Sequence, residues 1–529
     1  MKKQACNPYL PSYEYVPDGE PHLFNGRVYL YGSHDRFGGT DFCMNNYVCW
    51  SAPAEDLSDW RFEGEIFNRA EDPWCTSEEC RTFAPDVARG PDGRYYLYYG
   101  IDFQGKLSVA VSSDPAGPFH FYAHLQHPDG TPLGAAPGDA FQYDPGVLVD
   151  DDGTVYLVSG FCPVPGINPM FEKMHLRTVG CQLFTLAPDM CTVVSGPAIL
   201  APQAADAAGT DFEEHPFFEA PSLRKADNRY YLIYSSTQNH ELCYAMADTA
   251  TGPYRFGGTL ISNGDLGLDG RTVPLNYTGT NHGSIVQVAG QWYVFYHRQT
   301  NRTPYARQGC AEPIRILPDG RIPQVRMTSC GLNGGPLQAG QTYSAGIACC
   351  LESRDGAAPY RAKTSVGPEH PYITQDKQDG DPTAVQYIAN LLDGSRAGFR
   401  SFQLSGGPLT VVLRGTGLGV LEVSGGEDET PVLRLNVQPD PDWHPVQGPL
   451  PLYGQQDLWL TWRGAGRVDL LSLYPGQGEE GSSPKADART GKRETPLMRI
   501  ASEGLSFSME GSGNCVSGAG PCLRVYTNR

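Results

Sequence analysis

The 529-residue chain contains no run of 18 apolar residues, and its first twenty, MKKQACNPYLPSYEYVPDGE, set two lysines ahead of no apolar stretch. A spanning helix needs about 20 apolar residues in succession and a secretory signal needs an apolar centre, so neither is expected. Positive charge is scarce as well: 40 Lys and Arg stand against 59 Asp and Glu, a net charge of −19. Nucleic acid is bound by a basic face that displaces counterions, which excludes it as an expected partner. The fifteen cysteines include no metal-type Cys-x-x-Cys pair. An odd, unpatterned set suits reduced and buried thiols better than a disulfide framework, and a cytoplasmic protein is the expectation.

What the chain does have is a repeat. The pattern Gly-x-aromatic/Val-Tyr-Leu/Val occurs as GRVYLY from Gly26, GRYYLY from Gly93, GTVYLV from Gly153, NRYYLI from Asn228 and GQWYVF from Gly290. Each copy follows a turn cluster, such as Asn25-Gly26 or Gly90 to Gly93, built from residues that take positive φ or bond their own backbone. A shorter apolar run precedes the turn, so each copy reads as a β-hairpin. Seven to nine residues upstream of each copy stands one ionisable residue: Asp18, Asp86, Asp144, Glu219 and His282.

Copies 60 to 75 residues apart suit a four-stranded blade better than a helical repeat. The second strand of each hairpin is apolar on both faces, as a sheet covered on both sides requires. A second echo, CWSAPAEDLSDWRFEG (49–64), VAVSSDPAGPFHFY (109–122) and CYAMADTATGPYRFGG (243–258), supplies candidates for the outer strands. A five-bladed β-propeller is therefore expected over residues 1–330, with the five ionisable residues converging on its central channel.

At 529 residues the chain exceeds one ordinary core. The Gly-rich stretch GLNGGPLQAG (331–340) marks a boundary, and the repeat stops there. Short alternating runs from 341 to 475, LTVVLRG, GVLEVSG, PVLRLNV and DLWLTWRG among them, predict a β-sandwich. Residues 476–529 open with a polar stretch expected to be a flexible linker, followed by a tail of unassigned structure.

Carboxylates gathered in a partly desolvated channel raise one another's pKa, so they are costly unless used. Hydrolysis of a glycosidic bond uses them: one carboxylic acid protonates the leaving oxygen, one carboxylate activates water, and a third negative charge helps the acid keep its proton. Aromatic residues, 11% of the chain with 29 Tyr, suit stacked sheets and sugar binding alike.

Four stretches carry a family resemblance. PDGEPHLFNGRVYLYGSHD (17–35), YDPGVLVDDDGTVYL (143–157), FFEAPSLRKADNRYYL (217–232) and NHGSIVQVAGQWYVFYH (281–297) resemble the blade motifs of glycoside hydrolase family 43. The resemblance implies Asp18 as general base, Glu219 as general acid and Asp144 as the modulator of the acid's pKa. Gly19 departs from the proline that usually follows the base; the offset to His22 still favours Asp18 over Glu20. His282 inherits an axial position that binds water or calcium, with no cofactor otherwise required. TFAPDV (82–87) corresponds to a Trp-Ala-Pro-Asp run with Phe83 in place of Trp, which puts Phe83 and Asp86 on the substrate side. Arg307 matches a subsite arginine, with a structural ion pair as its competing reading, and Trp74 and Phe161 are candidate apolar walls for a sugar. Asp150 to Asp152 look like a calcium cluster but lack its alternating ligand spacing, so a hairpin tip is expected.

The second region is similar to a family 6 carbohydrate-binding module, on NLLDGSRAGFRSFQL (390–404), LRGTGLGVLEVSGG (413–426) and WRGAGRVDLLSLY (462–474). The implied activity is inverting hydrolysis of β-xylosides or α-L-arabinofuranosides, from the ends of oligosaccharides of plant polysaccharides. A non-catalytic sugar-binding propeller is the alternative of another class, opposed by the intact set Asp18, Asp144 and Glu219. Another five-bladed carbohydrate enzyme, a β-galactosidase-type hydrolase or a phosphorylase, is the third reading; a phosphorylase would need a basic phosphate pocket.

Overall fold

The computed structural model describes residues 3–164, 169–360, 366–427 and 429–478, so the expected linker and tail at 476–529 lie outside the described residues save for the first three. The chain from Glu20 to Ile314 forms five sheets. Blade one is β1 (Glu20–Phe24), β2 (Arg27–Tyr31), β3 (Tyr47–Pro53) and β4 (Arg61–Phe67). Blade two is β5 (Thr82–Arg89), β6 (Tyr95–Ile101), β7 (Leu107–Ser112) and β8 (His120–His124). Blade three is β9 (Gly146–Val149), β10 (Val155–Ser159), β11 (Cys181–Leu186) and β12 (Val193–Ala201). Blade four is β13 (Phe217–Ala226), β14 (Arg229–Ser236), β15 (Glu241–Ala247) and β16 (Arg255–Ser262), and blade five is β17 (Ile285–Val288), β18 (Gln291–Gln299) and β19 (Arg307–Ile314).

Each blade is a meander in which sequential strands pair. The first strands gather at the centre, where β1 lies beside β5 and β17, and β9 beside β5 and β13. The hairpins found as a repeat are the two inner strands of each blade, and the second echo is the outer pair of blades one, two and four. β6 is buried at all seven positions and β14 at seven of eight, because neighbouring blades cover both faces. The Asp150–Gly153 turn is the expected hairpin tip, and Lys225 and Tyr230 hold the Asp150 carboxylate.

Blade five has three strands where four were expected. The N-terminal segment runs along β19 instead: the Tyr9 N–H donates to the Gly309 carbonyl (3.2 Å), and Asn7 exchanges bonds with Ala311, accepting from its N–H and donating to its carbonyl, both at 3.0 Å. Asn7 also donates to Glu312 (2.9 Å) and to the Thr328 carbonyl (3.1 Å). The ring is thus closed by the start of the chain, which leaves that edge covered.

Residues 337–475 build two six-stranded sheets packed face to face. One runs in the order Leu337–Gln338, Arg396–Ser405, Tyr453–Ala465, Leu418–Ser424, Leu433–Val437, with Cys350–Glu352 also on Arg396–Ser405. The other runs Tyr372–Gln375, Gln386–Leu391, Val468–Pro475, Pro408–Gly415, Asp440–Pro449, with Tyr343–Ser344 also on Val468–Pro475. Phe399, Phe402, Leu409, Val411, Leu458 and Leu470 fill the space between them. The first strand begins at Leu337, inside the stretch read as a Gly-rich boundary. That stretch is packed rather than loose: Leu332 is buried, and the Asn333 side chain accepts from the Ala5 N–H (3.0 Å).

The sandwich is fastened to the propeller by polar contacts. Both terminal nitrogens of Arg298 donate to the carbonyls of Gly346 and Ala348, Arg400 pairs with Asp265, and Arg326 pairs with Asp457 at 2.9 Å. Among the described residues eleven cysteines are free, ten of them buried as expected. Cys75 and Cys80, in the loop before β5, are bonded to each other, which the unpatterned spacing did not foretell.

Asn7→Ala removes one acceptor and an amide NH2 group whose two N–H bonds are shared among three oxygens, all on a buried side chain. The expected cost is about 2–4 kcal/mol, read as a melting temperature lowered by several degrees with unchanged far-ultraviolet circular dichroism.

Candidate active site

At one mouth of the channel a cavity is lined by Asp18, Asp144, Glu219, His282, His297 and Arg307, with walls of Phe83, Tyr143, Phe161 and Phe218. The carboxylates enter it from strained turns at the start of the innermost strands. Asp18 (φ 56°) and Asp144 (φ 46°) are themselves left-handed, and Ala220 (φ 62°) directly follows Glu219. Such backbone is rare outside glycine and asparagine, and it persists only where the surrounding structure dictates it. The pairing of β13 with β14 shifts register on both sides of Glu219, a bulge that re-aims its side chain. At Gly19 a Cβ would lie 3.0 Å from Leu30 Cδ1 and 3.1 Å from Tyr9 Oη, a tight fit that those side chains would have to ease.

Two arginines separate the carboxylates into roles. Arg307 donates from Nη1 to Asp18 (2.8 Å) and from Nε and Nη2 to Asp35 (2.9 and 3.0 Å), the structural ion pair that was its competing reading, and the residue also lines the cavity. Arg224 pairs with Glu20 and Asp86 and does not line the cavity. Asp86 further pairs with His22 (2.6 Å) and accepts from the Val147 N–H (2.8 Å). Asp86 is fully buried and does not line the cavity; the expectation that it lies on the substrate side is corrected, because its carboxylate is consumed in holding Arg224 and His22 at the axis. Glu20 is equally engaged, accepting from Ser222 Oγ at 3.0 Å, which leaves Asp18 as the carboxylate of that strand that faces the cavity.

Trp74 is also placed elsewhere. Its ring stacks on His124 with centroids 3.4 Å apart and Lys106 lies over it at 4.2 Å, so it packs on blade two rather than against the cavity. Phe83 and Phe161 do line it, within a cluster of rings that includes Tyr143, Phe103 and Phe218.

The electrostatics divide the remaining carboxyl groups. Burial alone would raise Asp18, but Arg307, with the His297 and His282 rings, outweighs it and holds the group far below the ordinary carboxylate range. Glu219 is ion-paired to no cation among the described residues: burial first, then the Asp144 charge beside it, pushes it well above its ordinary value, against the opposing charges of His282 and Arg307. Asp144 is raised to about 7 by burial and by Asp18, offset in part by His282 and by the Ala220 N–H that donates to it at 3.2 Å. Burial pulls His282 down, yet the carboxylates of Glu20, Asp18 and Asp144 raise it to about 9, so it carries charge at neutral pH. His297 is pushed the other way by burial. It accepts from the Asp18 N–H (3.2 Å) and donates through Nε2 to the Thr280 carbonyl (2.7 Å). An ionised carboxylate and a protonated carboxyl in one cavity are the two halves of acid–base catalysis.

A calcium ion takes six to eight oxygens at about 2.3–2.6 Å. Around His282 the nearest carboxylate oxygens belong to Glu20, Asp18 and Asp144, at 3.6, 3.9 and 4.0 Å. Arg224 and Arg307 already neutralise the first two, so the residues around His282 do not form a protein cage for calcium.

Arg224, His297 and Asp35 were not assigned from sequence, although each lies within a stretch quoted above: SLRKAD, YVFYH and YGSHD. Their signal was a buried charged or imidazole residue, in a strand for Arg224 and His297 and in the loop after β2 for Asp35. Tyr360, which also lines the cavity, had no such signal, because it comes from the loop after Cys350–Glu352 of the sandwich.

Comparison with known proteins identifies relatives of the chain. The model of glycosyl hydrolases family 43 matches residues 21–322. A xylosidase/arabinosidase from Thermoclostridium stercorarium is 46% identical over 480 residues, covering 89% of this chain and 99% of its own. Xylosidase/arabinosidase 43A of Humicola insolens is 31% identical, covering 54% of this chain and 88% of its own. Among solved structures, a glycoside hydrolase family 43 arabinoxylan arabinofuranohydrolase from Bacillus subtilis aligns at a TM-score of 0.46 and 20% identity, over 89% of this chain and 97% of that one.

Two expectations follow from the charges. Asp144→Asn removes the charge that adds to burial in raising Glu219. The alkaline limb of the pH–rate profile, where the acid loses its proton, then moves to lower pH, with kcat reduced about 10-fold or more. The second concerns stability. The folded-state pKa of Glu219 is raised, so the stability of its protonated form is complete below the unfolded value near 4.3 and is lost as pH rises through the folded value. Glu219→Gln has no proton to lose, and its melting temperature gains on that of the wild type as pH is raised from about 5 to 8.

Proposed function

The chain belongs to glycosyl hydrolases family 43, and from that premise we propose that it is an inverting exo-glycosidase acting on β-xylosides and α-L-arabinofuranosides of plant-derived oligosaccharides. The observation that carries the reading is the opposed tuning of two carboxyl groups in one cavity, Asp18 driven down by Arg307 and Glu219 driven up by burial and Asp144. The relative at 46% identity, named a xylosidase/arabinosidase, supports the substrate class.

In the proposed reaction the Asp18 carboxylate takes a proton from a water as its oxygen attacks the anomeric carbon. Glu219 gives its proton to the leaving oxygen as the glycosidic bond breaks. The product sugar carries its new hydroxyl on the opposite face, and the proton on Asp18 returns through solvent to Glu219. Asp144 keeps the acid protonated and, through the Ala220 N–H, ties the acid's turn to blade three. Arg307 keeps the base ionised while Asp35 fixes the guanidinium in place. The rings of Phe83, Tyr143, Phe161 and Phe218 exclude water and offer apolar faces to the sugar. For the sandwich we propose a fold of the family 6 carbohydrate-binding-module type, supported by its two packed six-stranded sheets.

Hydrolysis of 4-nitrophenyl β-D-xyloside and α-L-arabinofuranoside, with 4-nitrophenyl β-D-galactoside as the contrast, tests the substrate class. Proton NMR of the first-formed sugar is expected to show inverted configuration; a retained anomer excludes the direct displacement. Glu219→Gln is expected to lose about 10²–10⁴-fold in kcat on xylobiose and much less on the nitrophenyl glycosides, whose leaving groups need no proton. Equal losses on both would remove Glu219 from the acid's role.

A further inference from the structure

The catalytic cavity is not closed by the propeller alone. After Cys350–Glu352 the sandwich makes a tight turn in which the Ser353 and Gly356 backbones bond each other in both directions, at 2.8 and 3.1 Å. The base of this excursion is anchored on the propeller, since the Leu351 N–H donates to the Leu275 carbonyl at 2.8 Å. From the turn the chain runs through Ala358, which is buried against Tyr277 of the propeller, to Tyr360. Beyond it Val366 rejoins the same cluster, and its N–H donates to the Arg302 carbonyl at 2.5 Å.

Tyr360 is half-buried and shares the cavity with Asp18, Glu219 and Arg307. Burial and the nearby Glu219 carboxyl raise its phenol, so it remains a neutral O–H donor throughout the working pH range. The Tyr360 hydroxyl makes no hydrogen bond among the described residues, and it is not one of the polar atoms sealed away from solvent. An open phenol in an apolar, ring-lined cavity beside the acid is a group awaiting a polar partner, because a site with so few polar atoms gains orientation from each of them.

We propose that the sandwich supplies a substrate-contacting residue to the propeller's active site, the Tyr360 hydroxyl bonding a hydroxyl of the sugar held beside Glu219. The inference rests on the glycosidase reading above and deepens it. The second region then serves the first directly: Tyr360 completes the wall of the sugar pocket, and the fastenings at Arg298, Arg400 and Arg326 hold the sandwich in register with the acid and base.

Tyr360→Phe keeps the ring and deletes only the hydroxyl. In the full-length enzyme its melting temperature is expected to match the wild type, while kcat/KM on 4-nitrophenyl β-D-xyloside or α-L-arabinofuranoside falls about 10-fold, the worth of one buried hydrogen bond to the sugar. Calorimetric Kd values for D-xylose and L-arabinose, measured on both proteins, give a readout independent of turnover and are expected to weaken by a similar factor. If the wild type hydrolyses neither glycoside yet binds a pentose more tightly than Tyr360→Phe does, the contact stands and the hydrolytic reading falls. Unchanged kcat/KM and Kd, a loss that follows a lowered melting temperature, or a wild type that neither hydrolyses nor binds these sugars would each overturn the proposal.

Discussion

Two buried guanidinium groups make this site possible. An ionised carboxylate carried out of water costs several kcal/mol unless a partner compensates it, and a pair that loses one partner is strongly destabilised. Six ionisable side chains of the axis, Asp18, Glu20, His22, Asp86, Asp144 and His282, compete for compensation within one channel. Arg224 holds Glu20 and Asp86, and Arg307 holds Asp18 and Asp35. The carboxyl groups that receive no arginine, Asp144 and Glu219, are the ones raised. The division into base and acid is therefore a consequence of where two positive charges were placed.

That placement depends on closure of the ring. Asp18 comes from the approach to blade one, Arg307 from the last strand of blade five, and Asp35 from the loop after β2. Their distances are set only once the N-terminal segment lies along β19, with Asn7 at the seam. Gly283 is part of the same join: it bridges Gly19, and a Cβ there would lie 1.9 Å from the Phe295 carbonyl oxygen. The sandwich adds a second constraint from outside, since the Arg298 contacts hold it in register with the propeller.

The hairpins, their order and the ionisable residue before each were legible in the sequence because they are local. An alternation of apolar residues around a turn is written within twenty residues, and repetition of the pattern reveals a ring. The structure brings Asp18, Asp144, Glu219, His282 and Arg307 to one cavity, and Phe83 and Phe161 to its wall. Asp86 was misplaced for a physical reason: position at the mouth of an inner strand says that a side chain faces the channel, not at what depth or with which partner. Trp74 was misplaced because a loop aromatic packs wherever a partner ring is offered, and His124 offers one. Arg224, His297 and Asp35 sit inside the quoted stretches, yet their importance lies in pairings far along the chain, Arg224 with Asp86 at a separation of 138, Asp35 with Arg307 at 272 and His297 with Asp18 at 279.

By itself the sequence determined an all-β chain, five hairpins with a carboxylate or histidine at each inner strand, and a second region of short strands. Those features follow from side-chain periodicity and turn chemistry, which act between near neighbours. Which carboxylate would ionise and which would keep its proton was decided only by the tertiary structure, because a pKa answers to burial and to charges a few ångströms away whatever their distance along the chain. The same holds for Tyr360: its own stretch of sequence is an ordinary loop, and only the docking of the sandwich turns it toward the acid.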